Sequence, residues 1–184
     1  MTYKLLLLDD EPAILSALSR VINRIGAERL GAPCRISAYT DASLALTSLQ
    51  SEPYDLVITD FRMPAMSGLD FLREAIRYQP DIARIIISGH ADLPTMVAAI
   101  NDTQVFRFVG KPWDDNELQL AVIQALHVYT LSRENQRLAD LVRVQQGTIS
   151  RQEAELRQLE SECPGITRVE RDERGAIYLD EDNL

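Results

Sequence analysis

The sequence is poor in cysteine, in runs of basic residues and in long apolar stretches, and each shortage excludes something. Two cysteines, Cys34 and Cys163, are too few and too far apart for a disulfide framework or a zinc site. They fit reduced thiols, and Cys163 can meet its counterpart only across a dimer. No apolar run approaches the roughly 20 residues of a membrane span. The first residues lack the basic region, apolar stretch and cleavage site of a secretory signal. A soluble, cytoplasmic protein without a membrane partner is expected. With 19 Lys and Arg against 28 Asp and Glu, the formal charge is -9 and the pI near 4.7, which disfavours a nucleic-acid-binding surface. No helix-turn-helix pattern, cyclase or phosphodiesterase motif, ATPase loop, internal repeat or low-complexity segment is present. What remains is a chain of 184 residues, 46% of them hydrophobic. That is enough for one ordinary domain with an extension, or for two very small domains.

Short apolar runs alternate with amphipathic segments. Strands are expected at Tyr3–Leu8, Cys34–Tyr39, Asp55–Thr59, Ala83–Ser88 and Val105–Val109. The first helical pattern places Ile14, Leu18, Val21 and Ile25 on one face, with Pro12 suited to its start. A second runs from Asp41, a good N-cap, to Gln50. A third covers Gly68–Tyr78, a short fourth lies near Leu93–Asn101, and a fifth begins near Asp114 and turns Leu118, Val122, Ala125 and Tyr129 inward. Strand–helix alternation implies parallel strands, because each crossover needs a helix to bring the chain back. Both faces of the sheet are then covered, which accounts for "LLLL" at Leu5–Leu8.

In such sheets the functional crevice lies beyond the carboxyl ends of the strands. Asp9 and Asp10, Asp60, Ser88 and Lys111 all fall at those ends. Carboxylates crowded together raise one another's pKa, and a divalent, oxygen-seeking cation relieves the conflict. Magnesium suits such a site, since it takes one or two carboxylates, keeps waters and completes its shell with phosphate. The same cleft suits phosphoryl transfer to a carboxylate. Each residue also has a plainer reading: Asp60 as a strand-end acid, Ser88 as a turn hydroxyl, Lys111 as a surface lysine, Trp113 as packing.

The stretches "LLLLDDEP", "LVITDFRMPAMSGLDFL", "IIISGHAD" and "VFRFVGKPW" resemble, in order and spacing, the motifs of the response-regulator receiver domain of two-component signalling. The resemblance covers about residues 1–130 and implies a flavodoxin-like, doubly wound five-stranded parallel sheet, (βα)5. It implies that Asp60 accepts a phosphoryl group from a histidine kinase or phosphotransfer protein. Asp10, Asp60 and the Arg62 backbone carbonyl would ligate Mg²⁺, with Asp9 acting through a metal-bound water. Ser88 and Lys111 would hold the phosphoryl oxygens, and Ser88 and Phe108 would form the switch. Lys111–Pro112 is a candidate cis bond. Arg62 and His90 depart from the family's commonest choices and are expected to tune phosphoryl lifetime. The loop from Gly26 to Pro33 is longer than usual and is expected to be a surface insertion.

After about Thr130 the pattern changes. Asn135, Val142, Ile149, Leu156 and Cys163 repeat every seven residues, with Leu131, Leu138, Gln145, Gln152 and Leu159 as companions. This is a heptad a/d seam of the kind that favours two parallel strands, with Asn135 fixing register. The alternative is a single long helix lying on its own domain. Pro164 and Gly165 end the pattern, and the tail beyond them has the makings of a hairpin. The expected organisation is therefore a receiver at 1–130, a helical coiled-coil extension at 131–163 and a tail at 164–184. The extension would act through a homodimer or an unidentified downstream protein, without DNA-binding output and without enzymatic activity beyond turnover of the phosphoryl group on Asp60. The rival readings are the N-terminal part of a longer regulator with an enzymatic, cyclic-dinucleotide output, and a phosphoryl sink or shuttle.

Overall fold

The computed structural model describes residues 2–89 and 103–162, apart from the side chains of 148–150, 153–154, 157 and 160–162. The elements in chain order are β1 (Tyr3–Leu8), α1 (Pro12–Asn23), α2 (Ala27–Leu30), β2 (Cys34–Tyr39), α3 (Ala42–Ser51), β3 (Leu56–Asp60), α4 (Gly68–Tyr78), β4 (Ala83–Gly89), β5 (Arg107–Lys111) and α5 (Asp115–Glu162). The five strands form one sheet in the order β2-β1-β3-β4-β5, and every pairing is parallel. The expected doubly wound α/β architecture is present. His90, the expected helix at Leu93–Asn101, Cys163, Pro164 and the tail lie outside the described residues.

Side-chain alternation along the strands builds both layers of core. Leu5 and Leu7 of β1, Ile58 of β3 and Ile85 and Ile87 of β4 pack with Leu18 and Ile22 of α1 and Leu118 and Val122 of α5. Leu6, Leu8, Val57 and Ile86 turn to the other face, against Leu49 of α3 and Phe71 and Leu72 of α4. All four leucines of "LLLL" are fully buried, each contributing about 1.5–3 kcal/mol of transfer free energy.

Local chemistry sets the helix starts. Pro12 opens α1. The Asp41 carboxylate accepts the Ser43 and Leu44 N–H groups at the start of α3, and Ser67 Oγ accepts the Asp70 N–H at the start of α4. Asp114 Oδ1 accepts the Asn116 and Glu117 N–H groups ahead of α5.

Two expectations need correction. The loop from Gly26 to Pro33 is exposed at six of its eight residues but is more than a surface insertion. It contains the one-turn α2 and feeds Leu30 and Ala32 into the core around β1. Gly31, at φ +82°, ends α2 in the left-handed region that glycine enters without strain. The fifth strand runs to Lys111 rather than ending at Val109, because β4 holds it in register through Ser88↔Gly110 and Gly89↔Lys111.

The contacts divide the chain into two units, Met1–Arg133 and Glu134–Leu184. In the first, α5 buries Leu118, Ala121, Val122, Ala125, Leu126 and Tyr129. In the second, Leu138, Val142, Leu156 and Leu159 are each about half exposed, and Asn135 is exposed. The side chain of Ile149 lies outside the described residues. Among the described residues no helix is long and apolar enough to cross a membrane.

Candidate functional site

The carboxyl ends of β1, β3 and β5, with β4 between the last two, deliver Asp9, Asp60 and Lys111 to one point. The Lys111 ammonium donates to Asp9 Oδ2 at 2.8 Å and pairs with Asp60 Oδ1. The other oxygen of each acid takes a backbone donor: Asp9 Oδ1 accepts the Glu11 N–H at 2.9 Å, and Asp60 Oδ2 accepts the Arg62 N–H at 2.7 Å. Asp9 is 1% exposed and Asp60 7%, so this is a buried cluster and not a surface ion pair.

Two carboxylates and one ammonium leave the cluster with an uncompensated negative charge. Burial pushes the Asp9 carboxyl above its ordinary value, against the pull of the Lys111 hydrogen bond. Burial alone would lower the Lys111 ammonium, but hydrogen bonds to Asp60 and Asp9 outweigh it and hold the ammonium above its usual range. The lysine is therefore a fixed positive charge at any physiological pH.

The backbone beneath Asp60 is held tightly. Thr59 Oγ1 donates to the Asp60 carbonyl at 3.0 Å. A Cβ on Gly68 would stand 2.0 Å from that same carbonyl oxygen, so only a residue without a side chain lets α4 start this close to β3. Gly68 also donates its N–H to the Phe61 carbonyl at 3.0 Å.

The remaining expected residues surround this centre. Ser88 is buried near the end of β4, one residue beyond the Asp60↔Ile87 pairing. Phe108 pairs with Ile86 in register and packs, half-buried, on the face covered by α3 and α4. The Lys111–Pro112 peptide is cis. Arg62 is exposed at the edge of the site. Asp10 is exposed and does not join the Asp9–Asp60–Lys111 cluster. It lines a cleft of about 330 Å³ with Asp41, Met63, Pro64 and Met66. Lys111 also borders a second, apolar opening of about 430 Å³ with Ile14, Pro112 and Trp113.

Among the described residues no three His, Cys, Asp or Glu side chains converge as a ready-made cage. The donor set nonetheless suits magnesium: hard carboxylate oxygens in a buried, net-negative cluster, with Asp10 adjacent in the open cleft. Such an ion needs only one or two carboxylates and keeps its waters.

Two residues went unnoticed in the sequence. Thr59, fully buried, ties down the Asp60 carbonyl. Arg84 is 4% exposed inside β4, donating to the Pro80 carbonyl at 3.0 Å while its Nε has no partner among the described residues. An arginine inside an otherwise apolar strand was the available signal, and "ARIII" carried it.

Residues 5–123 match the response regulator receiver domain family. The response regulator protein TodT of Pseudomonas putida is 36% identical over 129 residues, covering 70% of this chain and 53% of that one. The hydrogenase transcriptional regulatory protein HoxA of Cupriavidus necator is 30% identical over 133 residues, covering 72% of this chain and 26% of its own. The chain thus accounts for a quarter to a half of the curated relatives it matches. The signal receiver domain of an HD domain-containing protein from Pseudomonas fluorescens superimposes with a TM-score of 0.63 at 34% identity, over 72% of this chain and 92% of that domain. The chain belongs to the response regulator receiver family of two-component signal transduction.

Proposed function

We propose that Asp60 is the phosphoacceptor of this receiver. A carboxylate oxygen of Asp60 attacks the phosphorus of a phosphohistidine on a histidine kinase or phosphotransfer protein. The P–O bond forms, the P–N bond breaks, and the imidazole leaves with the electron pair. The observation that carries this reading is the Lys111 ammonium bridging buried Asp9 and Asp60 at the strand ends, because a cation fixed there can neutralise incoming phosphoryl oxygens. Ser88 supplies a hydroxyl for a second oxygen, and Phe108 reports the change by repacking, having no hydroxyl of its own.

Asp10, Asp60 and the Arg62 carbonyl would hold Mg²⁺, with Asp9 reaching it through water. The ion, when bound, supplies charge neutralisation of the transferring phosphoryl group. Arg62 and His90 set the lifetime of the acyl phosphate from the rim. The added charge of about -2 biases the switch residues and, through α5, the helical extension. That extension signals by pairing with a second copy or with another protein in the cytoplasm. The chain has no catalytic output of its own in this reading.

A small acyl-phosphate donor with Mg²⁺ tests the chemistry. The wild-type chain gains the mass of one phosphoryl group, and Asp60→Asn gains none. Undiminished uptake by that variant would overturn the assignment. A second reading makes the chain the N-terminal part of a longer regulator with an enzymatic output. It is favoured by the 26% and 53% shares of HoxA and TodT that the chain covers. The reading frame downstream of Leu184 decides it.

A further inference from the structure

Among the described residues, the exposed stripe on α5 beyond Arg133 is an apolar feature that the receiver chemistry leaves unused. Leu138, Val142, Leu156 and Leu159 are 50, 49, 52 and 46% exposed and occupy a and d positions of one heptad frame. The e and g positions beside that seam divide the helix into two halves. From 131 to 148 they hold a single charge, Glu134, among Ser132, Ala139, Leu141, Gln146 and Thr148. From 149 to 162 they hold Glu153, Glu155, Glu160 and Glu162, all negative. Both arginines of that stretch, Arg151 and Arg157, sit at c and b positions, outside the seam but one turn from the e and g glutamates. Arg151 is engaged within its own helix, 3.4 Å from Glu155, and such an exposed pair neutralises little.

A second copy therefore covers the two halves unequally. In a parallel pair, each g residue faces the e residue of the next heptad on the opposite helix, so Glu155 meets Glu160 twice. In an antiparallel pair e faces e and g faces g, and glutamate again meets glutamate. Flanks of this kind choose partners. A helix with lysine or arginine at its own e and g positions converts each repulsion into an attraction.

We propose that residues 149–162 are a docking helix for a basic-flanked helix of another protein, anchored on Leu156 and Leu159. Self-pairing is confined to the neutrally flanked stretch before it. This deepens the reading that the helical extension carries the output, and it rests on that reading.

The test uses the full chain and two designed peptides with identical a and d residues, one with lysine and one with glutamate at every e and g position. Fluorescence anisotropy at low salt is expected to show the lysine peptide binding at least about tenfold tighter. The gap should narrow near 1 M salt, where the screening length falls to about 3 Å. Reversing the four charges (Glu153→Lys, Glu155→Lys, Glu160→Lys, Glu162→Lys) should invert the preference, with helicity checked by circular dichroism. Leu156→Asp with Leu159→Asp should abolish binding of the lysine peptide. Retained binding there means charge alone and overturns the proposal. Equal affinities, no binding of either peptide, or a chain that dimerises through Leu156 and Leu159 at neutral pH and low salt also overturn it. Acyl-phosphate labelling of Asp60 in the same variants separates the two readings. Labelling without peptide binding sinks the docking helix, and peptide binding without labelling sinks the phosphoacceptor.

Discussion

The receiver unit and the helix beyond it use leucine in opposite ways. Leu5 to Leu8 sit at 0% exposure between two layers of helices, and everything needed to cover them lies within the same unit. Leu138, Leu156 and Leu159 are about half exposed, with no such cover among the described residues. The first pattern is complete by itself. The second leaves apolar side chains half open to solvent. Exposed leucines are ordinary on any protein surface, but a heptad spacing is not, and it is the spacing that separates a solvated helix from an unfilled seam.

Truncation tests the difference most strongly in the core. Phe71→Ala, fully buried in α4, is expected to cost the receiver unit about 3–5 kcal/mol in denaturant unfolding. Gly68→Ala comes next. Its new methyl would press on the Asp60 carbonyl, costing about 1–3 kcal/mol as overpacking, and phosphoryl uptake should fall with it because the acceptor's backbone must shift.

Asp9→Asn should show a smaller effect that depends on pH. Burial raises the folded pKa of Asp9 above the ordinary 3.8, so the folded chain holds that proton more tightly than the unfolded chain. Wild type therefore loses stability relative to Asp9→Asn as pH rises from the unfolded value through the folded one, and the difference is constant above it. Lys111 acts in the opposite range: its stabilisation is full below its ordinary 10.5 and disappears as pH rises through its raised folded value. The smallest effect belongs to the outer helix. Leu159→Ala should change the stability of the receiver unit by less than about 0.5 kcal/mol while weakening any partner on the seam. A loss as large as that of Phe71→Ala would erase the contrast between the two regions.

Much of the receiver was legible because its signals are local and redundant. Five apolar runs, Pro12, Asp41 and the acids and lysine at the strand ends each point to the same doubly wound sheet. What escaped was decided by tertiary contact. Gly110 argues against a strand, yet pairing with Ser88 keeps it in one. The loop from Gly26 to Pro33 is rich in turn residues, yet Leu30 finds a place in the core and Arg29 reaches Gln119 of α5 at 3.3 Å. The convergence of Asp9 and Asp60 on Lys111 spans 102 positions between Asp9 and Lys111. No periodicity states such a contact; the shared place of these residues at the carboxyl ends of parallel strands, and the resemblance of motifs, anticipated it. Successive residues leave a strand in different directions, so Asp9 turns into the buried cluster while Asp10 lines the adjoining cleft.

The strand order also governs how molecules of this kind avoid one another. With β2 and β5 outermost, two rows of backbone donors and acceptors end at the sheet margins, where another chain's strand would otherwise zip on. Each outer strand carries an arginine, Arg35 in β2 and Arg107 in β5. Charges of this kind discourage sheet-to-sheet fusion. Crowding in a concentrated cell then presses against guarded margins, and the sheet itself resists strand-to-strand fusion.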